Sequence, residues 1–157
     1  MAKLKIKNGL RWGLFGLLIS SFIACSEDSN EIPVNTEIEI EIQQLVNQYR
    51  LSQNLEPLAM NSALVKAAAG HTDYMIEAES ISHDNWEERV SSLQQELGST
   101  AFAENVASGQ RTAQEVVNAW LNSDGHRRNI EGNYSLTGIS ARRNQEGRYY
   151  FTQIFTN

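Results

Sequence analysis

RYYFTQIF, Arg148 to Phe155, is the stretch whose reading decides the fold. Side chains alternate across a strand, so Tyr149, Phe151 and Phe155 face one way while Tyr150 and Ile154 face the other. Both faces are apolar, whereas a strand with one wet face alternates apolar with polar residues. A strand buried on both sides needs one layer above it and another below. Its partner lies just upstream in SLTGISARR, Ser135 to Arg143, across the turn sequence NQEG that ends at Gly147. The expectation is an α+β fold, a three-layer α-β-α sandwich around a small, mainly antiparallel sheet.

The helical layers are legible upstream. Thr36 and Glu39 have the spacing of a capping box, and Ile38, Ile42, Leu45, Val46 and Tyr49 recur at helical intervals. That helix runs out before Pro57. Asn61 is placed to cap a second helix carrying Leu64, Ala67, Ala68, His71 and Met75 along one face. On that apolar stripe His71 reads as a hydrogen-bonded core histidine rather than a ligand. Residues 86–97 are mixed and fit a short helix. AFAENVASG, Ala101 to Gly109, reads as a short strand or buried loop around Glu104. A third helix opens at Thr112, with Val116, Trp120 and Ser123 on one stripe, Trp120 as core anchor and Glu115 as a structural cap. In NSDGHRRNI, Asn122 to Ile130, this helix is expected to break at Gly125, leaving His126, Arg127 and Arg128 at its end.

The N-terminus has a different character. Lys3, Lys5, Lys7 and Arg11 precede an apolar run from Gly13 to Ala24. Spanning a bilayer takes roughly 20 apolar residues, so this shorter run reads as a cleaved secretory signal over residues 1–24. Cys25 follows Ala24 directly, and FIAC resembles a lipobox whose cysteine is acylated. Cys25 is the sole cysteine, so no internal disulfide forms, and lipidation with palmitate or a related chain gives it a purpose. Residues 25–35 are acidic and polar and read as a tether; residues 36–157 form the domain. The expected location is extracytoplasmic, anchored through Cys25 at the outer membrane or cell surface. Residues 1–24 hold four basic and no acidic side chains, so the remaining 133 residues set nine basic against nineteen acidic ones, net −10. Such a balance argues against nucleic acid as a partner.

Taken in order, LVNQYRLSQNLEPLAMNSALVKAAAGHTDYM, ISHD, AENVASG, VVNAWLNSDGHRRNI and YYFTQIF resemble the CAP superfamily of cysteine-rich secretory proteins, closest to its bacterial SCP-like branch. The resemblance implies the same α-β-α sandwich. It also implies a cavity, which eukaryotic members line with two histidines and two acidic residues. His83 in SHD matches the first histidine and Glu104 in AENVA the first glutamate. The second glutamate position holds Ser123 and the second histidine position holds Tyr150, so two of the four match. His126 is expected to supply an imidazole from another direction.

The expected cavity therefore comprises His83, Glu104, His126, Ser123 and Tyr150, with His83 and His126 as ligands should a divalent metal such as zinc bind. Glu104 in an apolar stretch needs a cationic, metal or hydrogen-bonding partner. No His-Glu-x-x-His motif, phosphate loop or dinucleotide fingerprint is present. Ser82 beside His83 does not make a triad, because adjacent residues do not set that geometry. Two function classes remain. One is a non-catalytic module binding a lipid, peptide or protein; the other is a metal-assisted hydrolase. The incomplete tetrad favours binding.

Overall fold

The computed structural model describes Met1 and residues 35–157. The expected signal sequence, Cys25 and nearly all of the tether lie outside the described residues. Residues 35–157 belong to one compact unit, and the core clusters among the described residues lie inside it. A segment with its own hydrophobic core can in principle fold alone.

Among the described residues, five helices and four strands follow in order: α1 (Glu37–Ser52), β1 (Ala59–Met60), α2 (Ser62–Glu77), α3 (Trp86–Leu97), β2 (Phe102–Ser108), α4 (Ala113–Leu121), α5 (Asp124–Ile130), β3 (Leu136–Arg143) and β4 (Tyr149–Thr156). The sheet order is β1-β3-β4-β2, with β1 parallel to β3 and the other pairs antiparallel.

Both faces of β4 are covered, as RYYFTQIF predicts. Phe151 and Phe155 join Ile42 and Val46 of α1, Val116 and Trp120 of α4, and Ile130 of α5 in the main core. On the opposite face Ile154 packs with Leu64, Ala68 and Leu93, and Tyr150 with Met75 and Val106. Trp120 is 1% exposed, and its indole N–H donates to the Val106 carbonyl at 3.3 Å. Helix α2 lies so close to β3 that a Cβ on Gly138 would sit 2.1 Å from the Leu64 carbonyl carbon. Only a residue without a side chain permits that approach.

The caps are those the sequence announces. The Glu39 carboxylate accepts from the Thr36 N–H at 2.7 Å, and the Asn61 side chain accepts from Ala63 and Leu64 N–H groups. Glu39 does more than cap: its second oxygen accepts the Ala141 N–H at 2.8 Å, tying α1 to β3. The Glu115 N–H donates to the Thr112 hydroxyl, and the Glu115 carboxylate reaches back to accept the Arg111 N–H.

One boundary differs from the sequence reading. The α4 helix does not continue to Gly125; it stops at Leu121, and Gly125 lies in the first turn of the separate helix α5. Ser123, in an extended conformation, is the α5 N-cap residue. A glycine inside a helix costs about 1 kcal/mol relative to alanine, and full burial of Ile130 offsets that. Arg127 stabilises the break, donating to the half-buried Leu121 carbonyl at 3.1 Å and pairing with Asp124 at 2.7 Å. Arg50 holds the far end of α5. Buried and without a carboxylate among the described residues, it donates to the carbonyls of Glu56, Ile130, Gly132 and Tyr134 at 2.5–3.0 Å.

Candidate functional site

Glu104 sits in β2 on the face that looks toward α2, opposite Ile154 of β4. Its side chain is 2% exposed, so an ionised carboxylate here must be paired. Arg89 of α3 supplies that pairing. Its Nη2 lies 2.9 Å from both carboxylate oxygens and its Nε 3.1 Å from Oε2. His83 approaches from the other side, with Nδ1 2.8 Å from Oε1. Because a carboxylate accepts, Nδ1 carries the proton, which leaves Nε2 as the free nitrogen of a half-exposed ring.

The loop bearing His83 is held at three points. The buried His71 ring donates from Nε2 to the Ser82 carbonyl at 2.8 Å. Tyr74 donates its hydroxyl to Asp84 at 2.9 Å and stacks on His71. Arg89 also donates to the Asp84 carbonyl, at 2.6 Å. His71 is thus a hydrogen-bonded core histidine, as its place on the α2 stripe suggests, but its Nε2 is also 3.6 Å from Glu104 Oε1. Burial pulls the His71 pKa below the ordinary imidazole value, and the neighbouring Glu104 charge opposes this only in part.

Helix α5 braces the same strand from behind. Asn129 donates to the Glu104 carbonyl at 3.1 Å and to the Asn105 side chain at 2.9 Å, while Asn105 donates to the His126 carbonyl. His83, Trp86, Phe102, Ala103, Glu104 and Asn129 line an open cleft of about 260 Å³.

Not every expected residue reaches this contact. His83 and Glu104 come together directly. The His126 ring is half-buried and has no hydrogen bond to either of them among the described residues. Its pKa is lowered first by burial and then by the coulombic influence of the nearby His83 ring, which makes the two electrostatic neighbours. Ser123 caps α5 and does not line the cavity. Tyr150 is buried against Met75 and Val106. It lies four residues along β4 from Ile154, the partner of Glu104, roughly 13 Å at the strand rise. Two participants escaped the sequence reading, Arg89 and the near contact of His71. A signal for Arg89 was available, since it is the sole basic residue between Lys66 and Arg111.

A resident metal does not fit this donor set. Both Glu104 oxygens are taken by a guanidinium and an imidazole N–H, and His71 Nε2 is spent on a carbonyl. Among the described residues, no group of three or more His, Cys, Asp or Glu side chains is disposed to hold a metal ion. Of the two expected zinc ligands, His83 is held through Nδ1 by Glu104, and His126 makes no hydrogen bond to it among the described residues.

The family model described as CAP, the cysteine-rich secretory protein family, matches residues 43–155. The chain belongs to the CAP family. Its CAP domain is 32% identical over 105 residues to the uncharacterized protein YkwD of Bacillus subtilis, an alignment covering 64% of this chain and 41% of that protein. The uncharacterized membrane protein YlbC of the same organism is 30% identical over 128 residues, covering 78% of this chain and 35% of the relative. The chain thus spans less than half the length of these relatives. Among solved structures, the CAP fold is shared with an outer surface protein of Borrelia burgdorferi (TM-score 0.70, 23% identity, 79% of this chain and 96% of that one). It is shared too with an extracellular SCP-domain protein of Bacillus anthracis (TM-score 0.67, 24% identity, 80% and 44% covered). No helix among the described residues is long and apolar enough to cross a membrane.

Proposed function

We propose that this chain is an extracytoplasmic CAP module, held at a membrane by lipid on Cys25, which binds a lipid, peptide or protein ligand without catalysis. The observation that carries the reading is the saturated state of Glu104. Its two oxygens are engaged by Arg89 and His83, so it acts as a fixed anchor. That anchor orients the His83 ring, 53% exposed, which lines the cavity with Trp86 and Phe102 and whose Nε2 has no hydrogen bond among the described residues. A polar group flanked by aromatic surface is the usual make-up of a binding site. The names of two structural neighbours, an outer surface protein and an extracellular protein, support the location.

A second reading has one observation in its favour. A histidine whose Nδ1 is held by a carboxylate has the geometry of an oriented general base. The metal-assisted form of that reading, a peptidase-like hydrolase, needs free ligands that Arg89 and the Ser82 carbonyl have already engaged.

One experiment separates the two. Residues 32–157 are titrated with palmitate and with intact β-casein while tryptophan emission is followed. Trp86 is half-buried at the cavity mouth and Trp120 is buried, so Trp86 is the responsive probe. Saturable change with either probe, abolished by His83→Ala and with casein intact by mass spectrometry, supports binding. Casein cleavage that requires zinc and disappears in His83→Ala would replace the proposal with the hydrolase.

A further inference from the structure

A second cavity, of about 480 Å³, lies between the β2–α4 loop and the tip of the β3–β4 hairpin. It is remote from the Glu104 contact. Gly109 lies five residues beyond Glu104 along β2, roughly 16 Å at the strand rise. The two walls meet because the Gly109 N–H donates to the Tyr149 carbonyl at 2.9 Å, extending the register that pairs Ser108 with Tyr150.

Its lining is unusual for this chain. Arg111, Arg143 and Arg148 face it, against one carboxylate, Glu146. Nine basic residues follow Ala24, so a third of them converge here in a chain with nineteen acidic side chains. Arg89, Arg127 and Arg142 each have a carboxylate partner. Among the described residues, no ion pair engages Arg111, Arg143 or Arg148. Three like charges on one concave surface repel one another, and an anion between them relieves that cost.

Two of the three are also held in place. The Arg143 guanidinium lies 4.1 Å over the Tyr149 ring. Arg148 donates to the Ser108 hydroxyl at 3.0 Å and sits over the Tyr150 ring at 5.8 Å. Its guanidinium packs against Gly109, 3.6 Å from where a Cβ would be. Guanidinium groups fixed on aromatic faces are pre-organised to fork onto oxyanions. A carboxylate accepts one such fork, whereas a phosphate has oxygens enough for several.

Gln110 adds an independent observation. It lines the same cavity, and its side-chain Oε1 is buried with no hydrogen-bond partner. An unmet buried acceptor calls for a donor. A bare anion offers none, but a hydroxyl does.

We propose that the Arg111–Arg143–Arg148 cavity binds a phosphate ester that carries a free hydroxyl group. The phosphate occupies the arginine cluster, and rotation of the Gln110 side chain turns its Oε1, buried and unpartnered here, toward the hydroxyl. A soluble glycerol phosphate and a phosphatidylglycerol headgroup both present this chemistry.

The test uses residues 32–157 at low ionic strength, by two routes. Amide resonances are followed during titration with glycerol 3-phosphate, and co-sedimentation is measured with phosphatidylglycerol–phosphatidylcholine vesicles against pure phosphatidylcholine. Binding of the soluble ester, with shifts at Gly109, Arg111, Gly147 and Arg148, identifies a free ester as sufficient; retention on anionic vesicles alone identifies the headgroup. In either case the Arg111→Gln/Arg143→Gln variant, changed at exposed positions, should bind about tenfold more weakly or worse with a melting temperature no lower than the parent's. Gln110→Leu should erase any preference for glycerol 3-phosphate over inorganic phosphate. Failure of both routes, or equal binding by the arginine double variant, overturns the proposal.

Discussion

Arg89 and Glu104, fifteen residues apart in sequence, form a forked ion pair in which one guanidinium nitrogen lies 2.9 Å from both carboxylate oxygens. With side chains 12% and 2% exposed, the pair is shielded from water. Removing one partner of a buried pair leaves the other uncompensated, at a cost of about 3–5 kcal/mol. Arg89→Met should therefore lower stability by an amount near the bottom of that range, because His83 still contacts Glu104. Arg89→Met combined with Glu104→Gln should recover much of the loss. Urea unfolding of the two singles and the double measures the coupling, and strictly additive effects would show that the pair is not the unit described.

His71 makes stability depend on pH. Burial lowers its folded-state pKa below 6.5, so near neutrality it is neutral in both states and imposes no cost. Below that value the unfolded chain binds a proton that the folded chain resists, so stability falls as pH drops from about 6.5 toward the folded pKa. His126, lowered likewise, adds to the same slope. Thermal melts from pH 7.5 to 5 should show the decline. His71→Gln, which keeps a donor for the Ser82 carbonyl, should flatten part of it.

At Gly138 the backbone of α2 leaves no room for a side chain, with Leu64 and Val65 main-chain atoms 2.1 and 2.3 Å from a built Cβ. Overpacking typically costs about 1–3 kcal/mol, and rigid backbone neighbours place Gly138→Ala at the upper end. Gly70→Ala is the control. It lies in α2 with nothing within 4 Å of its Cβ position, and helix propensity alone should raise stability by about 1 kcal/mol. Equal midpoints in urea for the two variants would contradict the close approach.

Trp120→Ala should cost about 3–5 kcal/mol, as for other buried aromatic truncations. It also leaves the Val106 carbonyl without its indole donor. A melting temperature within a few degrees of the parent would mean that α4 does not anchor the core.

Cys25 should be the first residue of the mature protein and carry acyl chains. Two or more chains anchor stably where one binds marginally. Mass spectrometry of the native protein reads this directly, and a mature N-terminus at any other residue refutes it.

Local signals in the sequence determined the longer elements and the class of fold, but not β1 or the separate helix α5. Capping reaches three residues and helical periodicity four, so Thr36 with Glu39, Asn61 with Leu64 and the α1 and α2 stripes were legible without a structure. The two apolar faces of Arg148–Phe155 implied a layer on each side, because a strand exposes one of its faces unless something covers it. His83 and Glu104 were visible through resemblance, and a carboxylate in an apolar stretch announced that it needed a partner. The partner itself was decided by tertiary structure. Glu104 had cationic, metal and hydrogen-bonding possibilities open to it, and only the packing of α3 beside β2 brings Arg89 within 3.1 Å. The same holds for His71, brought near Glu104 by the packing of α2 on the sheet, and for Glu39, whose second oxygen meets Ala141 across 102 residues. Tyr150 went the other way, since strand register set it too far along β4 to join the site. Such contacts depend on the direction of each side chain after the layers have closed, and no pattern shorter than the fold encodes that direction.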